Sequence, residues 1–136
     1  MITLDQYFGS KEHTADQRQC AIELLNCVNA LLDEAHDAGV YDYEIDQDTG
    51  TQISGSKGGS GDGGFRLPTS TTGSAKSSHK DAKGVDVFDP QGRLDKWITR
   101  TILVKHRLYR EHPDKTVGWA HLTTRCPGSG CRTFLP

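Results

Sequence analysis

The sequence predicts an α+β protein in which a small antiparallel sheet packs against two main helices. Two long segments have apolar residues about every 3.6 positions, which is the period of an amphipathic helix. Two short segments instead alternate apolar and polar residues, as half-buried strands do. The chain has 136 residues and is 34% hydrophobic, which suits one modest core. We therefore expect residues 14–136 to form a single domain, preceded by a short N-terminal arm at residues 1–13.

The first predicted helix runs from Ala15 to Ala38. Thr14 and Gln17 form a capping-box pattern, because the hydroxyl and the amide can each bond an otherwise unpaired backbone N–H group. Gly39 stands where a helix commonly ends in a left-handed residue. The predicted buried face of this helix consists of Cys20, Leu24, Cys27, Val28, Leu31, Leu32 and Ala35.

A second helix is predicted from Arg93 to Glu111, and Pro113 follows it at a position that stops a helix. The clearest strand signals are Gly84–Phe88 and Trp119–Thr123, and a weaker one covers Gln52–Ser54. Two strands with two helices on one chain of this size give the α+β class.

A long glycine-rich loop lies between the two predicted helices. Residues 51–76 contain seven glycines together with several Ser and Thr, and they have no clear period. Composition alone would indicate a linker. However, Phe65-Arg66-Leu67-Pro68 lies inside the segment, and no second domain large enough to need a linker follows it. Because long loops inside compact domains are often functional, we expect this one to border a site.

The charge balance and the apolar runs exclude several classes of protein. Sixteen basic and eighteen acidic residues give a net charge of −2, which argues against a general nucleic-acid binder. No apolar run is long enough to span a membrane. The N-terminus lacks the basic region and apolar stretch of a secretory signal. We expect neither nucleic acid nor a membrane among the partners.

Four cysteines raise the possibility of a disulfide or a zinc site. Cys20 and Cys27 lie on the apolar face of the first helix, where they most simply act as small hydrophobic residues. Cys126 and Cys131 flank a turn and could form a local disulfide in an oxidising compartment, or supply two zinc ligands. The spacing of the other pair does not favour a four-cysteine site. The acidic segment 41–48 lacks the pattern of a calcium loop and favours a solvated strand and turn.

A histidine, an aspartate and a second histidine are the residues most suggestive of chemistry. Asp86 interrupts an apolar strand, and a buried carboxylate needs a partner. Zinc is such a partner, with histidine and aspartate among its common ligands. Adjacent antiparallel strands would bring Asp86 beside His121, and His79 would join them from the loop before the first strand. Three protein ligands with an open position are typical of catalytic zinc, although isolated His and Asp residues are more often surface or core polar groups.

The spacing of these residues resembles a known family. Ser77-x-His79 followed by Asp86, with Trp119-x-His121 later, resembles the metal-binding pattern of zinc D-Ala-D-Ala carboxypeptidases and dipeptidases. That superfamily also includes phage L-Ala-D-Glu endolysins and the hedgehog signalling domain. The C-terminal end of the chain is similar to small VanY-like proteins encoded by phages. The resemblance implies a sheet that holds zinc between two long helices, with the two histidines and the aspartate as ligands.

The resemblance covers most of residues 14–135 and extends to further residues. It implies that Arg66 binds the carboxylate of a substrate and that Ser77 assists it. The first motif is altered, because Ala82 stands where the family usually has glycine and Gly84 where it usually has alanine. These exchanges replace one small residue by another and leave the ligands intact.

The carboxylate that serves as general base in the family is missing at its expected positions. Active members commonly have a glutamate three residues before the last histidine, and here that position is Gly118. Related small members use an acid two residues after that histidine, where this chain has Thr123. Glu111, Asp81 and Asp114 are the candidates to replace it, and their sequence positions do not locate them in the fold.

Two functions remain open at this point. The first is a zinc peptidase that cuts peptidoglycan stem peptides near D-alanine, with Arg66 on the terminal carboxylate. The second is a zinc-binding structural or binding protein of a phage particle, without hydrolysis. Arg66 could equally pair with a structural acid such as Asp86 or Asp89. The expected partners are a peptidoglycan peptide or another peptide C-terminus, and other virion proteins. The expected location is a phage virion or the host cytoplasm.

Overall fold

A computed structural model describes residues 1–55, 63–70 and 76–135. It has the predicted α+β class, with one long helix, several short helices and a four-stranded sheet. Two single turns of 3₁₀ helix accompany these elements, at Ser78–Asp81 and Pro113–Lys115. In chain order the main elements are α1 (Leu4–Phe8), α2 (Ala15–Asp37), β1 (Gly84–Phe88), α3 (Arg93–Trp97), α4 (Arg100–Lys105), β2 (Tyr109–Glu111), β3 (Trp119–Thr123) and β4 (Thr133–Phe134).

The long helix α2 confirms the first predicted helix. Thr14 and Gln17 form the expected capping box, in which the Thr14 hydroxyl accepts from the Gln17 backbone and the Gln17 side chain accepts from the Thr14 backbone. Gly39 follows the helix with a φ of 75°, which a residue without Cβ adopts at little cost. The buried side chains lie on one face of α2: Ala21, Leu24, Leu25, Val28, Leu31, Leu32 and Ala35.

The prediction of a second long helix is wrong. The segment from Arg93 to Glu111 contains α3, α4 and strand β2 instead. Ile98 has an extended backbone and ends α3, and the Thr99 hydroxyl then begins α4 by accepting from Ile102 N at 3.3 Å. Arg107 has a φ of 58° and turns the chain into β2. The sequence still shows a helix-like spacing of apolar residues, because the side chains on these separate elements face one core. They are Leu94, Ile98, Leu103 and Leu108.

The sheet has the strand order β1-β3-β2-β4 and is mixed rather than antiparallel. Strand β3 runs antiparallel to both β1 and β2, and the two strongest predicted strands have their predicted bounds. The chain reverses after β3 and returns along the far edge of β2 as β4. Since β2 and β4 both run opposite to β3, they are parallel to each other. The weaker strand signal corresponds to an isolated bridge between Ile53 and Val87, on the edge of β1 that faces away from β3.

The N-terminal residues form part of the core. Helix α1 begins with its own capping box, and Ile2, Tyr7 and Phe8 are buried. The Ile2 backbone N–H donates to the Asn29 side chain on α2 at 2.9 Å. The segment 1–13 is therefore packed against α2 and the sheet. Within the described residues, no helix is long and apolar enough to cross a membrane.

Candidate metal centre

Three side chains predicted as ligands meet on one face of the sheet. Asp86 on β1 is paired in register with His121 on β3, and paired residues of antiparallel strands share a face. His79 lies in the 3₁₀ turn that precedes β1, and the Ser77 hydroxyl caps this turn by accepting from His79 N at 3.3 Å. Ala82 ends the turn with a φ of 58° and directs the chain into β1. The antiparallel arrangement expected from the sequence is thus confirmed.

Their polar atoms form a compact triangle. His79 Nε2 lies 3.2 Å from His121 Nδ1 and 3.2 Å from Asp86 Oδ1, and His121 Nδ1 lies 2.8 Å from Asp86 Oδ1. Ligand atoms around a tetrahedral zinc, at about 2.0–2.1 Å from the metal, are about 3.3 Å apart. All three side chains are buried, and no other trio of metal-ligating side chains is grouped in this way in the described part of the chain. The group could hold a metal ion.

The outer nitrogen of each histidine ring is also engaged. His79 Nδ1 lies 2.8 Å from the Gly64 carbonyl oxygen, which can only accept, so Nδ1 carries the proton and the lone pair of the neutral ring is on Nε2. His121 Nε2 lies 3.3 Å from the Ser78 hydroxyl. Metal-ligating histidines usually have such a partner on the second nitrogen, because it fixes the ring orientation and the tautomer. Both rings therefore present one nitrogen to the triangle.

The protonation states also suit a cation. Burial lowers the pKa of His79 and so favours its neutral ring. Burial alone would raise the pKa of Asp86, but the neighbouring His79 and His121 outweigh this effect and hold that pKa well below its usual range. Neutral imidazole and ionised carboxylate are the forms that bind metals.

Arg66 lies beside this group and is 8% exposed. Its Nη2 is 3.6 Å from Asp86 Oδ2, and its Nη1 donates to the Ser77 hydroxyl at 3.4 Å. The sequence left open whether Arg66 pairs with a structural acid, and Asp86 is that acid in the structure. Asp89 instead caps α3, because its carboxylate accepts from two backbone N–H groups at the start of that helix.

The three candidate bases lie in different surroundings. Glu111 on β2 is partly buried, and burial raises the pKa of its carboxyl. Its electrostatic neighbours include His121, Asp86 and Arg66, and its strand pairs with β3, which carries His121. Asp81 points elsewhere and forms a surface ion pair with Arg125 at 2.6 Å.

Asp114 is also poorly placed to act as a general base, because its carboxylate is 84% exposed and lies beside His112. The two positions where the family usually has an acid do not supply one. Gly118 has a φ of 98°, and its carbonyl accepts from Asp89 N at 3.0 Å. Thr123 is buried, and its hydroxyl accepts from the Arg125 backbone.

The described part of the predicted loop borders the site, as expected. Gly64 supplies the carbonyl for His79, and Arg66 lies two residues further on. The backbone at Gly64 is closely packed, since a Cβ there would lie 2.5 Å from the Tyr7 carbonyl oxygen. The predicted loop also contains Gly58, Gly59 and Gly61, which lie outside the described residues.

The cysteines form no group in the structure. Cys20 and Cys27 are partly buried against the core, as predicted, and burial raises the pKa of the Cys27 thiol. Cys126 and Cys131 are exposed free thiols. In the acidic segment, Asp46 uses its carboxylate to accept from two backbone N–H groups, which stabilises a turn.

Sequence reasoning did not identify two contributors to the site. Ser78 contacts His121 through its hydroxyl, and its only sequence signal was a polar residue directly before His79. Gly64 acts through its backbone carbonyl, which no side-chain pattern can indicate.

The fold and the site define a small α+β protein with a buried His-Asp-His group that could hold a metal ion. No described protein family, characterised protein or solved structure matches this chain.

Proposed function

We propose that this protein is a zinc-dependent peptidase that acts on peptidoglycan stem peptides next to D-alanine, like the carboxypeptidases its motifs resemble. One observation carries the proposal: His79, Asp86 and His121 direct three ligand atoms to one point in a buried site. Two imidazoles and one carboxylate are a donor set used by catalytic zinc sites in metallopeptidases. When bound, zinc would polarise a carbonyl oxygen and lower the pKa of a water molecule toward about 7.

Glu111 is the residue we assign as general base. It lies on β2, which pairs with β3, and its electrostatic neighbours include His121, Asp86 and Arg66. Burial raises the pKa of its carboxyl, which makes it a better proton acceptor than a fully solvated glutamate. Its position on β2, next to β3, differs from the family pattern and would compensate for the glycine at position 118.

Arg66 and Ser77 are the residues we assign to the substrate carboxylate. A guanidinium offers a planar pair of donors that matches a carboxylate, and Ser77 already accepts from Nη1 of Arg66. The loop that carries Arg66 also carries the carbonyl bonded to His79. Substrate and metal would therefore be positioned by the same short segment.

The test is release of D-alanine from peptidoglycan fragments by the zinc-loaded protein, with a chelator-treated sample beside it. Glu111→Gln should lower the rate by about 10²–10⁴-fold, because it removes a positioned base and keeps the shape of the side chain. Glu23→Gln, on the exposed face of α2, is the matched control and should leave the rate unchanged. Loss of activity in Asp81→Asn but not in Glu111→Gln would contradict our assignment of the base.

A second candidate function is a zinc-stabilised binding or structural protein of a phage particle. The observation in its favour is Gly118, because a glycine stands where the resembled peptidases usually have the catalytic acid. A protein that binds zinc and gains thermal stability from it, yet releases no D-alanine, would support this function. Mass spectrometry of purified phage particles would then test whether the protein is packaged.

A further inference from the structure

A buried hydroxyl touches the outer nitrogen of one of the candidate metal ligands. Ser78 Oγ lies 3.3 Å from His121 Nε2, and both side chains are buried. We propose that Ser78 is a positioning residue for His121, and that position 84 is a glycine in order to leave room for the Ser78 hydroxyl. This inference rests on the metal site of the proposed function and extends it to residues outside the ligand set.

The contact with Ser78 turns His121 so that Nδ1, rather than Nε2, faces the triangle. Nδ1 lies 2.8 Å from Asp86 Oδ1 and 3.2 Å from His79 Nε2. The ionised carboxylate of Asp86 and the neutral ring of His79 both accept hydrogen bonds at these atoms. Without a metal, one proton on His121 Nδ1 satisfies these two neighbours. His121 Nε2 then has a lone pair, which accepts from the Ser78 O–H.

Binding of a metal requires the opposite tautomer. His121 Nδ1 must then offer its lone pair, so the proton of the neutral ring moves to Nε2 and no proton is lost overall. The Ser78 hydroxyl rotates and accepts from Nε2–H. A hydroxyl can donate to Nε2 in the metal-free form and accept from Nε2–H in the metal-bound form. A backbone carbonyl could only accept, and an alanine side chain could do neither. Serine therefore keeps the ring in place in both states.

Gly84 provides the space for this hydroxyl. A Cβ on residue 84 would lie 2.3 Å from Ser78 Oγ and 3.1 Å from His121 Cε1, so even alanine would displace the hydroxyl. The backbone there cannot easily shift, because the Tyr7 hydroxyl donates to the Gly84 carbonyl at 2.8 Å. The backbone of Ser78 is fixed as well, since its carbonyl accepts from Lys83 N at 2.9 Å. Glycine in a strand is usually destabilising, and the close approach of Ser78 and His121 explains why a glycine is needed at position 84.

The test is a double-mutant cycle on zinc affinity, measured by competition with a chromophoric chelator. Ser78→Ala should weaken zinc binding by about 10–100-fold, which is typical of lost partners of metal-ligating histidines. Gly84→Ala should weaken it at least as much. Added to Ser78→Ala, however, Gly84→Ala should cost much less than it does alone, because the displaced hydroxyl is already gone. Ser10→Ala and Gly128→Ala are the matched controls, since Ser10 is exposed and a Cβ at Gly128 meets nothing within 4 Å.

The tautomer of the His121 ring is a second measurement, and it would not change if Ser78 had a purely structural role. Nitrogen NMR of the His121 ring should show the proton on Nδ1 without zinc and on Nε2 with zinc in the wild-type protein. In Ser78→Ala the zinc-loaded form should lose the hydrogen-bond signature at Nε2. If Ser78→Ala fails to fold, the ring signals of Gly84→Ala give the same test, because a Cβ at position 84 would displace the Ser78 hydroxyl without adding a metal ligand.

The outcomes separate this inference from the proposed function. Unchanged zinc affinity and ring signals in Ser78→Ala, or fully additive effects in the cycle, would overturn the positioning role alone. A wild-type protein that binds no zinc would overturn both the metal site and this inference. Normal results in the cycle without any release of D-alanine would overturn only the peptidase reaction.

Discussion

At the scale of single residues, the charge of Asp86 determines much of the arrangement around it. This carboxylate is 3% exposed, and leaving it unpaired in the interior would be costly. His79, His121 and Arg66 all contact it, so one cation, two rings and a carboxylate share a small buried volume. A metal ion at this group would add a second positive centre beside the same carboxylate.

One zinc ion per chain is the first expectation from this group. Zinc should raise the melting temperature of the wild-type protein, because an ion that binds only the folded state stabilises it by about 2.7 kcal/mol at a hundred times its Kd. His121→Ala removes one of three ligand atoms and should abolish both the bound zinc and this rise. His36→Ala, an exposed histidine on α2, should keep both. Elemental analysis and thermal melts measure the two effects, and a wild-type protein without zinc after supplementation would contradict the expectation.

The role of Arg66 is open to a direct test with Arg66→Lys. Lysine keeps the positive charge beside Asp86 but loses the planar pair of donors. We expect the affinity for a D-Ala-D-Ala peptide to fall by about tenfold or more in calorimetric titration, with a melting temperature close to that of the wild type. Arg93→Lys, on a surface ion pair with Asp42, is the control. A lowered melting temperature, with no peptide binding even in the wild type, would make Arg66 a structural partner of Asp86 alone.

At the scale of elements, local signals predicted well what depends on local interactions. Helix α2 and strands β1 and β3 carry their own caps and alternation, so their bounds agree with the prediction. The second helix was mispredicted because an apolar period reports a shared core and not a continuous hydrogen-bonded helix. The grouping of His79, Asp86 and His121 was predictable because Asp86 and His121 lie on those strands. The contacts of Ser78 and of the Gly64 carbonyl depend on how separate loops meet, and no local pattern encodes this.

Helix α3 carries a buried acid that should make the stability of the protein depend on pH. Burial raises the pKa of Asp95 to about 6, although Arg110 and the Thr116 hydroxyl partly offset this effect. The folded pKa thus exceeds the unfolded value near 3.9. Asp95 therefore makes its full contribution to the free energy of unfolding below about pH 4, and this contribution is lost as the pH rises through 6.

Asp95→Asn should remove this dependence, because the amide cannot ionise. Between pH 4 and pH 7, the free energy of unfolding of the wild type should fall relative to the variant by on the order of 1–2 kcal/mol. Denaturant unfolding of both proteins at intermediate pH values measures the difference. Parallel curves for the two proteins would show that Asp95 ionises normally in the folded state.

At the scale of the whole molecule, the N-terminal segment connects the parts that build the site. Tyr7 accepts from the Phe65 backbone at 3.0 Å and donates from its hydroxyl to the Gly84 carbonyl. Lys11 donates to the Phe65 carbonyl at 2.7 Å. Phe65 is the residue between Gly64 and Arg66 in the chain, so the first residues fix the loop that contacts His79 and Asp86. We infer that the segment 1–13 belongs to the functional unit.

Tyr7→Phe tests this connection with a change of one atom. Tyr7 is 1% exposed, and burial raises the pKa of its hydroxyl well above the usual range. Its loss deprives the buried Gly84 carbonyl of a donor and should cost about 1–3 kcal/mol of unfolding free energy. Because Gly84 packs against Ser78 and His121, zinc affinity should fall as well. Tyr43→Phe, which loses a hydroxyl bond to Asp33 at the surface, should cost less and leave zinc affinity unchanged. Equal effects of both variants on zinc affinity would mean that the N-terminal segment stabilises the fold without supporting the site.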